Sequence, residues 1–312
     1  TVFSGNSDLV VSRGGTYLAN IARSFHNGTI NGTITNTANT NAETYKVNLT
    51  FSGDLTISSS GIIDVSGKGY AAGYGPGVGT SSTTIGGSGY GGRGGDGIGA
   101  VGGISYGSIT NPINLGSGGR SGNAAGGPGG GAIILNVSGA LTNAGSIKSD
   151  GIAGTDTGGS WTGGGGGAGG SVNISCSSIS GNGAISANGG VGGWGQGNGQ
   201  SGGGGGGRIA INYTTKTFTG ILEAKGGLGR TTGRDGGAGS IYTKASSTNG
   251  NLLYDNTGVT VGGLDNKGYA TISDPYTFDS VTVRNYSMVD ISATVTITGT
   301  LSLTTNSTLR IQ

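Results

Sequence analysis

Short apolar alternations separated by glycine recur along the chain. Between Gly130 and Gly227 one pattern appears three times, as GGAIILNVSGALTNAGSIKSDG, GGSVNISCSSISGNGAISANGG and GGRIAINYTTKTFTGILEAKGG, and a truncated fourth copy, GSIYTKAS, opens at Gly239. In each full copy a glycine pair leads into alternating aliphatic residues: Ile133 and Leu135, Val172 and Ile174, Ile209 and Ile211. A further apolar position follows at Ile147, Ile185 and Leu222. Period-two alternation over so few β-branched residues predicts half-buried strands, too short and too glycine-flanked for helix. Aligning Gly131, Gly170, Gly207 and Gly239 gives steps of 39, 37 and 32 residues. One such unit cannot bury its apolar face alone, whereas a stack of them can.

The same alternation is present on both sides of the repeats. VNLTFSGDLTISSSGIIDV predicts strands centred on 49–51, 55–57 and 63–65. From 279 onward strands are expected around 281–283, 289–291, 295–297, 301–303 and 309–311, and both Val281 to Leu301 and Val289 to Leu309 are steps of 20 residues. The expected fold is all-β: a parallel β-helix, or solenoid, with long glycine-rich, polyglycine II-like extended insertions at one corner. Residues 1–46 are expected to form a cap or assembly segment. Residues 47–278 would be coils with insertions, and 279–312 regular 20-residue coils ending uncapped at Leu301, Leu303, Leu309 and Ile311.

Composition sharpens this picture. Glycine makes up 76 of 312 residues, against 10% charged residues and a net charge of +2. Ordering glycine is entropically costly, so the choice lies between a disordered chain and one where glycine is sterically required. Interleaved strands and low net charge favour order. Runs such as GYGGRGGDG and GGPGGGA suit a helix of three residues per turn, in which glycine lets neighbouring backbones approach.

Charge and motif exclude several functions. The 16 basic residues are balanced by 14 acidic ones without a basic stripe, so nucleic-acid binding is not expected. No apolar run reaches the 18 residues of a membrane span, so membrane insertion is not expected. A polysaccharide lyase or hydrolase needs clustered carboxylates, but here they are scattered, the nearest approaches to basic groups being Arg234 with Asp235 and Asp64 with Lys68. No catalytic residue and no cofactor is therefore assigned. GGRGGDGIG, residues 91–99, matches the calcium nonapeptide GGxGxDxUx, but such sites need tandem copies. With the single carboxylate Asp96, a chance match is the better reading, and Asp96 is a weak calcium candidate.

Trp161 and Trp194 sit in glycine excursions, each either a plug on bare backbone or a platform for sugar stacking, and Tyr90 joins them as a candidate for carbohydrate or surface contact. The lone Cys176 forms no intrachain disulfide. The start at Thr1 suggests a processed product or a segment of something longer. Eight Asn-x-Ser/Thr sequons, Asn136, Asn173 and Asn212 among them, match a secreted surface but also arise by chance in such a chain.

The three GG-x-(I/V)-x-(I/L) openings followed by (S/A)-I-x-(S/A)-x-G, together with the tail TVTITGTLSLTTNSTLRI, resemble glycine-rich parallel β-helix segments of large bacterial surface proteins, of adhesin or autotransporter-passenger type. The long glycine excursions depart from ordinary passengers and resemble the glycine-rich helix bundles of some adhesin tips and of one class of antifreeze protein. The resemblance implies an extracellular, cell-surface, elongated and non-catalytic body. The function expected is a structural or adhesive fibre subunit that self-associates end to end, with surface glycans as a further partner. The alternatives are a polysaccharide-binding or polysaccharide-degrading β-helix protein and an ice-binding protein, the latter from the Thr rows of TVTIT and TLSLT.

Overall fold

The computed structural model describes residues 7–158, 162–195, 201–230, 233–259 and 268–312. The described residues form strands and connecting segments without helix, and the strand pairing is mostly parallel. The first layers contain β1 (Leu9–Val11), β2 (Thr16–Leu18), β3 (Arg23–Phe25), β4 (Gly28–Ile30) and β5 (Thr33–Thr35), followed by β6 (Val47–Phe51), β7 (Leu55–Ile57) and β8 (Ile62–Asp64). The glycine repeats contribute β9 (Ala132–Asn143), β10 (Ser146–Lys148), β11 (Ser171–Ser180) and β12 (Ala184–Ser186). They continue with β13 (Arg208–Tyr213), β14 (Thr215–Lys216), β15 (Ile221–Glu223) and β16 (Ser240–Ala245). The last part holds β17 (Asn251–Asp255), β18 (Ala270–Ile272), β19 (Tyr276–Arg284), β20 (Met288–Ile291), β21 (Val295–Leu303) and β22 (Thr308–Ile311).

The repeat alignment is the pairing register. Val172 pairs with Ile133 on one side and Ile209 on the other, and Ile209 pairs with Ile241, so one aliphatic ladder runs through four strands. All four side chains are buried. A second ladder, Ile63, Ile147, Ile185 and Leu222, crosses the six-stranded sheet β15-β12-β10-β8-β5-β2. These two sheets present apolar alternate positions to one core that extends from Leu9 to Ile241. The 20-residue step likewise appears as Val281 paired with Leu301 and Val289 with Leu309.

Residues 1–46, expected as a cap, already carry strand layers. β1 pairs with β4, β2 with β5 and β3 with β6, all parallel. The polar run that follows turns asparagine inward: Asn39 Oδ1 accepts from the Thr44 and Tyr45 amides, while its Nδ2 donates to the carbonyls of Tyr45 and Lys68. These bonds satisfy backbone groups that a buried turn would otherwise strand.

The regular order breaks at β16. β17 pairs with β16 antiparallel, in the same sheet, and β19 and β21 then follow β17 in parallel. Neighbouring side chains on a strand point to opposite faces. Ile241 faces the first core, whereas Tyr242 joins Leu252, Tyr254, Phe278, Val281 and Val283 in a second core on the other face. That second face is also covered by residues 109–114. Ile109 enters the second core, Ser171 Oγ donates to the Asn114 carbonyl at 2.6 Å, and Asn173 Nδ2 donates to Asn111 Oδ1 at 2.6 Å.

The glycine excursions bond to one another with a period of three. The amides of Gly202 and Gly205 donate to the carbonyls of Ile85 and Ser88, those of Gly203 and Gly206 to Arg234 and Gly237, and those of Gly204 and Gly207 to Gly190 and Ala187. Successive donors thus fan out to three neighbouring segments, as a backbone of three residues per turn without internal bonds requires. The amides of residues 164–169 repeat this, reaching 155 and 152, 120 and 117, and 202 and 205 in turn. A Cβ added to Gly203, Gly204 or Gly205 would stand 2.0, 2.1 and 2.0 Å from a neighbouring carbonyl oxygen. The backbones are therefore too close for any side chain.

Candidate interaction surfaces

Three surfaces hold the candidate residues: the C-terminal strand edge, the glycine-bundle aromatics with Asp96, and the flank of the large sheet. At the C-terminal edge, β21 and β22 are the terminal strands of their sheets and pair on one side, with β19 and β20. Val281 is buried, yet Leu301, its partner one layer out, is 46% exposed. Leu303 is 47% and Ile311 82% exposed, and Leu309 packs partly against the second core. The edge is pinned by Asp290, which accepts from Arg310 Nε at 2.6 Å, Arg310 Nη2 at 2.8 Å and Gln312 Nε2 at 3.0 Å. Hydrogen bonding to Asp290 holds the Arg310 guanidinium above its ordinary pKa. Its carbon also lies 5.1 Å from the centre of the Tyr269 ring, and Arg93 lies at the same distance. At the opposite end, β1 and β2 are terminal strands as well, with Val10 and Leu18 exposed.

Asp96 is held by cations of the chain itself. Its carboxylate lies 3.1 Å from Arg93 and 3.3 Å from Arg234, and accepts the Gly102 amide at 2.7 Å. Arg93 belongs to the same nonapeptide, so the motif that suggested calcium supplies its own counter-charge. No group of three His, Cys, Asp or Glu fit for a metal ion occurs among the described residues. Other carboxylates are similarly engaged: Glu43 with Lys46, Glu223 with Lys225 and Asp255 with Arg284. Burial works to raise the Asp255 carboxyl, but bonds from Thr257, Asn285 and Arg284 outweigh it and hold the group below its usual range.

Tyr90 must be withdrawn as a surface contact, because it is 0% exposed. Its hydroxyl lies 2.6 Å from Ser171 Oγ, and its ring packs 4.8 Å from Tyr106 and 5.6 Å from the Arg208 guanidinium. Burial pushes the phenol up to about 12 despite the opposing Arg208 charge. Arg208 is itself buried, donating from Nε to the Tyr106 carbonyl and from Nη1 to Ser240 Oγ. Sequence reasoning missed it, although it occupies a column that is otherwise Ala132, Ser171 and Ser240. A large residue in a column of small ones signals a space filled from elsewhere, here by residues 90–106. Trp194 stands on the surface, 40% exposed, and Trp161 lies outside the described residues.

On the flank, Asn136, Ser175, Asn212 and Lys244 align as one row across β9, β11, β13 and β16. Beside them lies a trough of about 330 Å³ bounded by Asn136, Val137, Ser138, Ser175, Cys176 and Ser177. A second hollow of about 170 Å³ shares Ser175 and Cys176 and extends to Asn212, Tyr213, Lys244 and Ser246. The strands bend here, since the register of β11 against β9 shifts between Cys176 and Ser178. Burial pushes the Cys176 thiol up to about 11. Of the nearby sequons, Asn136 is exposed while Asn173 is buried under residues 109–114.

No protein-family model, curated protein or solved structure matches this chain.

Proposed function

We propose that the chain is an extracellular structural or adhesive element of the cell surface, a parallel β-helix with polyglycine II-like bundles that associates end to end into a fibre. In this reading the paired strand layers are coils. Reversing strand direction and core face together at β16–β17 leaves the sense of winding unchanged, so one winding serves both cores. The glycine segments brace the coils mainly through backbone bonds, joined by buried side-chain bonds such as Ser88 Oγ to the Gly166 carbonyl and Arg208 Nε to the Tyr106 carbonyl, which suits a body that carries shape rather than chemistry. The carboxylates engaged in ion pairs accord with a non-catalytic role.

The observation that carries assembly is the apolar open edge, with Leu301, Leu303 and Ile311 exposed on strands bonded along one side. Unpaired amides and carbonyls beside exposed aliphatic groups template another strand layer. The occupant we assign is a second copy, presenting its own terminal strands β1 and β2. Because β17, β19 and β21 run against β1–β16 in the large sheet, a copy stacked in the same orientation sets β1 antiparallel to β21. That junction repeats the β16–β17 join.

The test is sedimentation and electron microscopy of the protein across a concentration series. Filaments or oligomers that grow with concentration are expected, and the double variant Leu301→Lys/Ile311→Lys is expected to sediment as a monomer with an unchanged melt. A wild-type protein that stays monomeric at the highest concentration would defeat the proposal.

A further inference from the structure

End-to-end assembly leaves the flank trough unused, and the trough is complete within one chain. Its lining is polar and repetitive: amides at Asn136 and Asn212 and hydroxyls at Ser138, Ser175 and Ser177, with Tyr213 and Lys244 at one end. The amides and the Ser138 and Ser175 hydroxyls can both donate and accept, while Ser177 Oγ already donates to the Gly139 carbonyl at 2.7 Å and offers its lone pairs, and strand spacing brings a new polar side chain about every 4.8 Å along the stack. Beneath the row, Val137 is buried in the first core and Cys176 packs partly against that core. Such a surface matches an extended polyhydroxylated chain, whose hydroxyls exchange donors and acceptors with the rows.

The charge pattern narrows the class. No carboxylate lines either hollow, and the one cation, Lys244, stands at the far end. A polyanion would find little to neutralise it, and a protein partner would lack the aromatic and arginine anchors that dominate protein interfaces. We infer that the trough binds a neutral oligosaccharide laid along the stack across β9, β11, β13 and β16.

The chain's only cysteine lies in this trough and serves as its reporter. With its thiol pushed up to about 11, Cys176 reacts slowly with N-ethylmaleimide in mildly alkaline buffer, and the rate is followed by mass spectrometry. The neutral probes are cellohexaose, mannohexaose and chitohexaose in its N-acetylated form, and the anionic probe is hexagalacturonate. At least one neutral probe is expected to slow alkylation and to give a saturable calorimetric isotherm. The variant Asn136→Ala/Asn212→Ala, checked for an unchanged melt, is expected to weaken that binding by roughly tenfold. Thr56→Ala, on a different outward row, is expected to leave it unchanged. Failure of all neutral probes, protection by hexagalacturonate alone, or undiminished binding to the double asparagine variant would overturn the inference. Sedimentation reads assembly and alkylation reads the trough, so either proposal can fail without the other.

Discussion

A single methyl group decides whether the glycine segments can pack. At Gly204 an added Cβ would lie 2.1 Å from the Gly167 carbonyl oxygen and 2.5 Å from its carbon, both backbone atoms that cannot rotate aside. Gly204→Ala is expected to cost about 1–3 kcal/mol or more in a denaturant melt. Gly158 faces open space without a left-handed φ, so Gly158→Ala should melt like the parent protein. Two buried phenols set an alkaline limit in the same residue-by-residue way. Tyr90 and Tyr254 are each pushed by burial from 10.0 to about 12. As pH rises past the unfolded value the unfolded chain loses these protons first, so their contribution is intact below pH 10 and is lost between there and about 12. Each group is worth roughly 2–3 kcal/mol. Melts across this range should show the loss, and phenolate absorbance should lag behind that of the unfolded chain.

At the scale of elements, two kinds of layer hold one another. The strand layers depend on unbroken aliphatic ladders, and Val172 is buried between Ile133 and Ile209. Val172→Asp would bury a carboxylate with no partner, at a cost of roughly 3–5 kcal/mol. Loss of the cooperative melt and of β circular dichroism is expected, and their survival would refute the ladder. The glycine layers bury few side chains, Ile85, Ser88 and Tyr90 among them, and depend mainly on peptide bonding. Residues 164–169 and 202–207 each send amides to three neighbouring segments. Hydrogen exchange there should be as slow as in β9 and β11. Rapid exchange would show the segments to be loose loops.

The whole molecule is organised by one continuous sheet with a core on each face. At the β16–β17 switch, Tyr242 and Leu252 pair across the antiparallel join and both enter the second core. Arg208 and residues 106–114 fill the face that the second core leaves uncovered along β11 and β13. Among the described residues, the sheets have terminal strands bonded along one side at both ends and a polar flank free of carboxylates between them. Assembly should depend on the first, through Leu301 and Ile311, and persist at high salt, because those two side chains are aliphatic and the one charged residue of β22, Arg310, is paired with Asp290. Sedimentation at low and high ionic strength checks this, and dissociation by salt would count against an apolar junction.

Local patterns were legible in the sequence. The Gly-Gly leads and two-residue alternation put Ile133, Val172 and Ile209 in register, and the 20-residue step paired Val281 with Leu301, because strand periodicity and repeat length are properties of adjacent residues. The glycine content likewise called for close backbone packing, since only the absence of Cβ explains so much ordered glycine. Only the tertiary structure decided the rest. Tyr90 and Trp194 look alike as aromatics among glycines, yet one is buried beneath Arg208 and the other is exposed, according to which distant segments converge on each. The pairing of Asp96 with Arg234, the reversal at β17 and the alignment of Asn136, Ser175 and Asn212 into a trough all join residues far apart in the chain. A sequence records spacing along the backbone, and those outcomes depend on spacing between layers.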